Sequence, residues 1–335
     1  MSTSALERAR RGDERAYREL TAPYLRELHL HCYRMVGSLV DAEDLLQETL
    51  VAAWSGLNKF EGRSSLRTWL YRIATNRCIN AIRDRKRRMP PEPVPPFDPP
   101  QPTRRGDVTW LQPYPDAWLE ETRDTERDPA ARYEARETVE LAFIAALQQL
   151  PPRQTAALVL RDVLGFSTMD AATMLETSPV AVKGALQRAR SSLARQLGTA
   201  ASSRARVRRS GDEQKLAECF AEALLADDTD GVVALLTDDA WLAMPPARHE
   251  YQGRDAIAAF LRTSARWRDQ RALRLVPTRA NTQPAFGWYV SATGGSVAHP
   301  AGIMVLTIFG NRVSAITRFL DESLPILFGL PAVLN

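Results

Sequence analysis

The stretch Asp41-Ala-Glu-Asp-Leu-Leu-Gln-Glu-Thr-Leu-Val-Ala-Ala-Trp54 combines acidic and apolar side chains at helical spacing. Asp41, Asp44 and Glu48 fall at positions i, i+3 and i+7, so they share one face of a helix. Apolar side chains line another face, at Leu46, Leu50, Ala53, Trp54 and Leu57. The stretch therefore predicts an amphipathic helix, whose acidic surface, taken alone, is typical of a solvated face over a core.

Helical patterning extends outward from this stretch and predicts a small all-α domain over residues 1–89. Breaks fall near Pro23, near Gly37 and in the segment 56–65, where the residue types favour turns. A basic helix that carries Trp69 follows the last of these breaks.

A proline-rich, acidic linker is predicted over residues 90–127. From Pro90 to Pro102, eight of thirteen residues are proline, which enters neither a helix nor the interior of a sheet. The later stretch Trp110–Leu119 is too aromatic for a solvated spacer. We expect this stretch to dock either on a domain of this chain or on a partner, and the sequence leaves both open.

A second all-α domain, containing a helix-turn-helix, is predicted over residues 128–200. Pro151-Pro152 opens a helix, and Gly165 closes it. Ser167-Thr-Met-Asp170 predicts a capping box, and Ser178-Pro179 supplies an N-cap followed by a proline at the first helical position. Four helices with a short turn before the last are typical of a helix-turn-helix module.

The chain changes character after a basic hinge predicted at residues 201–211. Residues 212–335 predict an α+β domain in which helices come first and a curved antiparallel sheet follows. The helices are expected at Leu216–Ala226, Asp230–Leu236 and Asp255–Arg266, and the strands at Leu273–Val276, Ala285–Ala292, Ile303–Phe309 and Arg312–Phe319. The predicted fold class is therefore multidomain, with two all-α domains before an α+β domain.

Basic side chains are concentrated in two blocks of the chain. Residues 1–89 carry 17 basic and 11 acidic side chains (+6), and residues 141–210 carry 10 and 3 (+7). Residues 90–140, between them, carry 6 and 12 (−6). Two basic modules separated by an acidic connector are typical of a protein that contacts one long polyanion at two places.

The sequence argues against several other classes of protein. It offers no signal peptide and no run of about 18 apolar residues, so we expect a cytoplasmic protein with no membrane partner. Cys32, Cys78 and Cys219 lack the spacing of a zinc site or a disulfide framework, and we expect all three to be buried, reduced thiols. We expect no metal ion and no cofactor.

The acidic helix at Asp41–Trp54 resembles the polymerase-binding helix of sigma factors, whose acidic and glutamine residues dock on the clamp helices of the largest polymerase subunit. Transferred position by position, the resemblance implies that core RNA polymerase contacts this chain at Asp41, Asp44, Gln47 and Glu48.

The next segment, Phe60-Glu-Gly-Arg-Ser-Ser-Leu-Arg-Thr-Trp-Leu-Tyr-Arg-Ile-Ala-Thr-Asn76, resembles the promoter-melting and −10 recognition segment of the extracytoplasmic-function (group 4) sigma factors. Its residue types fit that role, because a loop with Gly62 and polar side chains can hold an unstacked base while basic neighbours neutralise the single strand. A polar stripe on the following helix suits base edges and phosphates. The expected −10 contacts are Arg63, Ser64, Arg67, Arg72, Asn76, Asn80 and Arg83. Family members often carry an acidic residue in place of Asn80, which leaves the −10 preference open.

The segment from Ala146 to Leu193 resembles the −35-reading domain of the same family. A recognition helix enters the major groove through its N-terminal residues. The expected −35 contacts are Arg153, Ser178, Val180, Ala181, Lys183, Gln187, Arg188 and Arg190. Gly184 departs from the family, where Ser is common, and it lowers helix propensity.

The resemblance covers roughly residues 5–89 and 130–197, and its motifs are specific when they occur together in this order. The Pro-Tyr-Pro-Asp core of Trp110–Leu119 further resembles the sigma-G-type subgroup, which carries a C-terminal extension. Residues 212–335 resemble a SnoaL-like domain of the nuclear transport factor 2-like superfamily, which wraps a curved sheet around helices and leaves a conical pocket. A small apolar ligand is the implied occupant, with Trp241, Tyr289 and Asp321 as candidate pocket residues.

Together these features predict an alternative sigma factor that binds core RNA polymerase and promoter DNA and performs no catalysis. The C-terminal domain is expected to modulate it in cis, in a direction that the sequence leaves open, and a separate anti-sigma factor is a further candidate partner. Two alternatives stay open. One is a helix-turn-helix regulator that acts without polymerase, and the other is an enzyme built on the SnoaL-like domain.

Overall fold

The computed structural model describes residues 3–85, 95–105, 111–120, 138–197 and 210–335. Part of the predicted linker with Trp110, the start of the second helical domain and most of the predicted basic hinge lie outside these described residues. The chain divides into two compact units. The first consists of Met1–Pro90 with Glu121–Gly198, and the second of Pro91–Glu120 with Thr199–Asn335.

The described residues form fourteen α-helices and seven strands. The helices are α1 Thr3–Arg10, α2 Glu14–Thr21, α3 Leu25–Val36, α4 Leu39–Gly56, α5 Leu66–Arg85, α6 Asp116–Glu120, α7 Leu141–Gln148, α8 Pro152–Leu158, α9 Thr168–Met174, α10 Pro179–Leu197, α11 Ser210–Leu225, α12 Thr229–Ala234, α13 Arg254–Trp267 and α14 Leu324–Leu327. The strands are β1 Arg104–Arg105, β2 Leu236–Ala243, β3 His249–Gln252, β4 Leu273–Ala280, β5 Gln283–Ser291, β6 Ala298–Phe309 and β7 Arg312–Phe319.

The boundary between α3 and α4 follows from two consecutive residues. Gly37 adopts a left-handed conformation (φ 71°), which ends α3. Ser38 then accepts a hydrogen bond from the backbone N–H of Asp41 at 3.1 Å and caps α4. This cap fixes the start of the helix that carries the predicted acidic surface.

The helix-turn-helix prediction is confirmed in its local details. The hydroxyl of Ser167 accepts a hydrogen bond from the backbone N–H of Asp170 at 3.0 Å and donates to the Asp170 carboxylate at 2.6 Å. Ser178 accepts from the backbone N–H of Ala181 at 3.2 Å and so caps α10, where Pro179 occupies the first position. Gly165 has a φ of 69° and ends the helical run from α8, whose last turn, Val159–Val163, is π-helical.

The sheet in the second unit has the strand order β1-β3-β2-β7-β6-β5-β4. Strands β4 to β7 form the predicted antiparallel meander, with Val276 opposite Gly287 and Leu306 opposite Ile316. Strand β2 pairs with β7 in parallel, so the sheet is mixed and the expectation of a wholly antiparallel sheet needs correction. The physical reason is the long chain between β2 and β7, which allows a parallel return; β2 itself was not among the predicted strands.

Helices α11, α12 and α13 pack against this sheet around one apolar cluster, which confirms the predicted α+β architecture. Phe220 of α11 and Phe260 of α13 are fully buried in the cluster. On α11 the buried positions Ala217, Phe220, Ala221 and Leu224 share one face. Cys219 lies off that face and is exposed, so the prediction of a buried thiol is wrong there, while Cys32 and Cys78 are buried as expected.

Candidate polymerase and promoter interfaces

The acidic surface of α4 is accessible in the structure. The side chains of Asp44, Gln47 and Glu48 are exposed, and that of Asp41 is partly buried beside the Ser38 cap. Val51 continues the same face one turn later, and 66% of its surface is exposed. The sequence interpretation missed Val51, although its spacing from Asp44 and Gln47 could have identified it.

Gln47 and Glu48 have side-chain partners inside the first unit. Gln47 donates to the carboxylate of Glu43 at 2.8 Å. Arg77 of α5 lies 3.4 Å from the carboxylate of Glu48. Both partners are themselves exposed, so these contacts are weak and open to exchange.

The predicted −10 loop is an exposed turn. Gly62 has a φ of 72°, which favours glycine, and the side chains of Arg63 and Ser64 are exposed. Arg63 pairs with Glu61 at 2.5 Å, and 86% of the Arg63 side chain is exposed. Nothing in the loop is packed against a core, so its polar groups are accessible to a single strand.

Arg67, at the start of α5, has a different environment from the rest of the loop. Its guanidinium donates to both carboxylate oxygens of Glu27, at 2.8 to 3.0 Å. It also lies 4.8 Å from the ring centroid of Tyr71 and 4.8 Å from that of Phe166. Phe166 belongs to the helix-turn-helix module, so the second module covers a predicted −10 contact of the first.

The two modules of the first unit meet around this arginine. The rings of Tyr71 and Phe166 approach edge to face at 5.1 Å, and α9 packs on α5. Arg34 of α3 donates to the Thr138 hydroxyl at 2.9 Å. In this arrangement the −10 segment and the helix-turn-helix share a packed interface.

Further along α5, the polar stripe becomes steadily more accessible. Arg72 and Asn76 are partly buried, whereas Asn80 and Arg83 are exposed. Buried Leu70 lies on the opposite side of the helix. The C-terminal half of the stripe is therefore the part that nucleic acid could reach in this arrangement.

The recognition helix α10 presents the predicted −35 surface to solvent. The exposed side chains are Ser178, Val180, Ala181, Lys183, Gln187, Arg188 and Arg190. Val180 is 78% exposed although it is apolar, which suits a contact with a thymine methyl group. Arg188 reaches back over Gly184, where an added Cβ would lie 3.4 Å from its guanidinium. A side chain at Gly184 would therefore restrict Arg188.

The two remaining basic residues predicted to contact the −35 element differ in whether an ion pair holds them. Arg153, at the start of α8, is exposed. Arg190 makes a two-pronged ion pair with Asp162, at 2.7 and 2.8 Å. Asp162 therefore competes with phosphate for Arg190.

The linker forms part of the second unit, so the described part of the aromatic stretch Trp110–Leu119, from Leu111 onward, docks on a domain of its own chain. Strand β1, inside the predicted linker, pairs with β3 at the edge of the sheet, with Arg104 opposite Glu250. The Thr103 hydroxyl accepts a hydrogen bond from the backbone N–H of Gln252 at 2.8 Å. Upstream, Phe97 packs at 5.5 Å from the ring of Phe260.

The second part of the linker is held at the turn between β4 and β5. The backbone N–H of Tyr114 donates to the Asn281 side chain at 2.7 Å, and the Asn281 backbone N–H donates to the Tyr114 carbonyl at 2.9 Å. Asp116 accepts from Arg279 at 3.2 Å and from the backbone N–H of Thr282 at 2.7 Å. Both Tyr114 and Asn281 are buried.

The three predicted pocket residues have different surroundings. Trp241 alternates with Ala240 and Leu242, which enter the core cluster, so its side chain points to the other face of the sheet. Tyr289 is fully buried, and its hydroxyl donates to the Pro331 carbonyl at 2.7 Å. Asp321 accepts hydrogen bonds from Gln112 of the linker, at 3.2 Å, and from Ser323.

Two further observations concern metal binding and membrane spanning. Among the described residues, no group of three or more His, Cys, Asp or Glu side chains could hold a metal ion. In the same part of the chain, every helix is too short or too polar to cross a membrane.

Comparison with known proteins finds two matching family models and several similar sigma factors. The family models for Sigma-70 region 2 and Sigma-70 region 4 match residues 20–88 and 140–193. The chain is 44% identical to the ECF RNA polymerase sigma factor SigG of Mycobacterium tuberculosis over 325 residues, which is 96% of this chain and 85% of the relative. It is 31% identical to the sigma-H factor of Pseudomonas aeruginosa over 188 residues, 56% of this chain and 89% of that relative.

A solved structure resembles the whole chain in fold. The crystal structure of the extracytoplasmic function sigma factor SigJ of Mycobacterium tuberculosis matches with a TM-score of 0.58 at 21% identity, covering 94% of this chain and 99% of SigJ. The predicted arrangement of helical domains followed by an α+β domain is thereby confirmed. The relatives are sigma factors, which are not enzymes. The chain therefore belongs to the extracytoplasmic-function sigma factors, the subunits that direct core RNA polymerase to promoters.

Proposed function

We propose that this sigma factor binds core polymerase through the exposed face of α4, formed by Asp41, Asp44, Gln47 and Glu48. The exposure of three of these side chains on one capped helix supports the assignment. Val51 adds an apolar contact at the end of the same face. Exposed charge with an apolar edge is typical of a docking surface that forms quickly and is then stabilised by burial.

The −35 element is read by the N-terminal half of α10. The observation that carries this assignment is that every predicted −35 side chain on α10 is exposed, while Val182, Leu186 and Ala189 on its other face are buried. A helix with one packed and one free polar face can enter the major groove without losing its own core. The −10 element is read by the loop at Arg63 and Ser64 and by the exposed end of α5.

In vitro transcription with purified core polymerase tests both assignments. Asp44→Lys with Glu48→Lys should abolish core binding, whereas Asp239→Lys, an exposed acid on β2, is the matched control and should leave it unchanged. Lys183→Ala should lower transcription from the cognate promoter more than from one with a scrambled −35 sequence, with Lys215→Ala as the control. Full core affinity in the double variant, or equal losses on both promoters, would contradict the corresponding assignment.

The C-terminal domain modulates the sigma factor in cis by holding the linker. Support comes from the linker contacts at Thr103, Tyr114 and Asp116, which place the connection between the two DNA-reading modules on the sheet of the second unit. Deleting residues 212–335 should change promoter activity in the reconstituted assay. Unchanged activity across promoters would remove the regulatory role.

The C-terminal domain acts by binding and performs no catalysis. Two of the candidate pocket residues, Tyr289 and Asp321, are engaged by Pro331, Gln112 and Ser323. The protein acts in the cytoplasm, where its polymerase is. A separate anti-sigma factor is a second regulatory partner, which would be recognised as a stable complex that excludes core polymerase.

A further inference from the structure

A charged side chain occupies an otherwise apolar face of the C-terminal sheet. Arg318 lies two residues after Ile316 on β7, so both side chains point to the same face. Ile316 belongs to the core cluster, and so does Met304, the residue opposite Arg318 on β6. The guanidinium of Arg318 therefore lies on the side of the sheet that faces the helices.

An aromatic ring holds this guanidinium in place. Its carbon lies 3.9 Å from the ring centroid of Trp288, which is buried in the core cluster. Stacking on the ring leaves the edge of the guanidinium, with its fork of N–H donors, directed away from the indole face. Trp288 thus orients Arg318 without using its hydrogen-bonding groups.

A second arginine near the same ring has its charge compensated. Arg268 lies 5.7 Å from the Trp288 centroid, pairs with Asp227, and donates to the Ser264 hydroxyl at 2.9 Å. Within the described ranges, Arg318 has no carboxylate within ion-pair distance and donates no hydrogen bond. One positive charge at this place is therefore uncompensated.

We refer to the surroundings of Arg318, next to Trp288 and Met304, as the Arg318 recess. Burial, followed by repulsion from Arg268, lowers the pKa of Arg318 to about 9, so the group is still protonated near neutral pH. Its side chain nevertheless keeps part of its surface open. Protein therefore surrounds much of the guanidinium, while part of the Arg318 side chain remains exposed to solvent. An unpaired charge in such surroundings is costly, so an anion that enters the recess is stabilised.

We propose that this recess binds a small monocarboxylate with an apolar body, and that the Arg318 guanidinium pairs with the carboxylate in a two-pronged contact. A single uncompensated charge matches a monoanion, and the planar fork matches a carboxylate. Met304 lies opposite Arg318, and Phe286 lies opposite Met304, so both apolar side chains line the face of the sheet beside the guanidinium. A phosphate dianion would bring a second charge that nothing here neutralises. This ligand class specifies further the small apolar ligand expected from sequence.

Direct binding to the full-length protein tests the proposal, independently of any transcription readout. The probes are benzoate and hexanoate, with benzamide and hexanamide as neutral analogues and inorganic phosphate as a different anion. Calorimetric titration should show saturable binding of at least one carboxylate and weaker binding, by at least tenfold, of its amide. In wild-type protein, the indole N–H resonance of Trp288 should shift when the carboxylate is added and should not shift when its amide is added.

Variants of Arg318 locate the site. Arg318→Met should weaken carboxylate binding at least tenfold, and Arg318→Lys, which keeps the charge but loses the fork, should be intermediate. Arg274→Met removes an exposed arginine of β4 and should have no effect. Should Arg318→Met fail to fold, the Arg318→Lys titration and the Trp288 resonance still decide.

Three results would overturn the proposal. Absence of saturable carboxylate binding would leave Arg318 as a structural stack on Trp288. Equal binding of acid and amide would show that the charge does not matter. Tighter binding of phosphate than of either carboxylate would show that the ligand class is wrong.

Discussion

Replacing Asn281 by glycine should loosen the linker where it docks at Tyr114. Asn281 is buried and has a φ of 54°, a conformation that glycine adopts without strain. Its side chain accepts the Tyr114 backbone N–H at 2.7 Å. The glycine variant keeps the backbone geometry and removes the Asn281 side chain, including the oxygen that accepts from Tyr114.

The expected magnitude follows from the burial of the donor. Tyr114 is 2% exposed, so its N–H would be left buried without an acceptor. Such a loss costs about 1–3 kcal/mol, which corresponds to a roughly 5- to 150-fold increase in the opening equilibrium of the docked segment. Asn281→Ala should cost more, by about another 1 kcal/mol, because alanine is strained at positive φ.

Hydrogen exchange of the full-length protein, followed by mass spectrometry, measures this opening. Amides in residues 111–120 should exchange faster in Asn281→Gly, while those of the β1–β3 pair, held by separate contacts, should change little. Asn281→Asp is the matched control, since aspartate keeps an acceptor oxygen and tolerates positive φ.

Two results would refute this reasoning. Unchanged exchange in Asn281→Gly would mean that the hydrogen bond does not hold the linker. Exchange in Asn281→Asp as fast as in the glycine variant would mean that something other than the acceptor is responsible.

Three other predictions concern the pH dependence, the module interface and the sheet. Burial lowers the pKa of His31 to about 3, so the unfolded chain takes up the proton at a higher pH than the folded chain does. The free energy of unfolding should therefore fall by up to about 1.4 kcal/mol per pH unit below pH 6.5. Urea titrations at several pH values should show a smaller dependence of this free energy on pH in His31→Gln. Phe166→Ala should weaken the packing of the two modules by about 3–5 kcal/mol and uncover Arg67, which stays paired with Glu27. The affinity for a fluorescent single-stranded −10 oligonucleotide should then rise, and unchanged affinity would mean that Phe166 does not limit access to Arg67. Gly302 has a φ of 120° and an added Cβ would lie 1.8 Å from a neighbouring carbonyl oxygen, so Gly302→Ala should lower the thermal midpoint far more than Gly294→Ala, where the space is open.

Local features of this chain could be predicted from sequence because neighbouring residues determine them. The Ser167 capping box and the Ser178 cap each depend on residues three positions apart, and helical periodicity alone separates exposed Lys183 from buried Val182. The meander of β4 to β7 followed from apolar runs separated by turns.

Contacts between distant residues could not be predicted in this way. Arg67 stays a predicted −10 contact, but no local pattern indicates that Glu27 and Phe166, far away in the chain, contact it. Strand β1 has two residues, too few to show a period, and it forms because β3 offers an unpaired edge. The recess at Arg318 was missed because an isolated arginine in a strand gives no signal of its own.

The docked linker also sets how much chain is available between the two DNA-reading modules. With residues 95–105 and 111–120 bound to the second unit, their contour length no longer contributes to the distance that the modules can span. Release of the linker returns that length and, with it, the conformational entropy of the connection. Docking of the linker can therefore favour promoters with some separations between the −35 and −10 elements over others, although the docked linker residues contact no base.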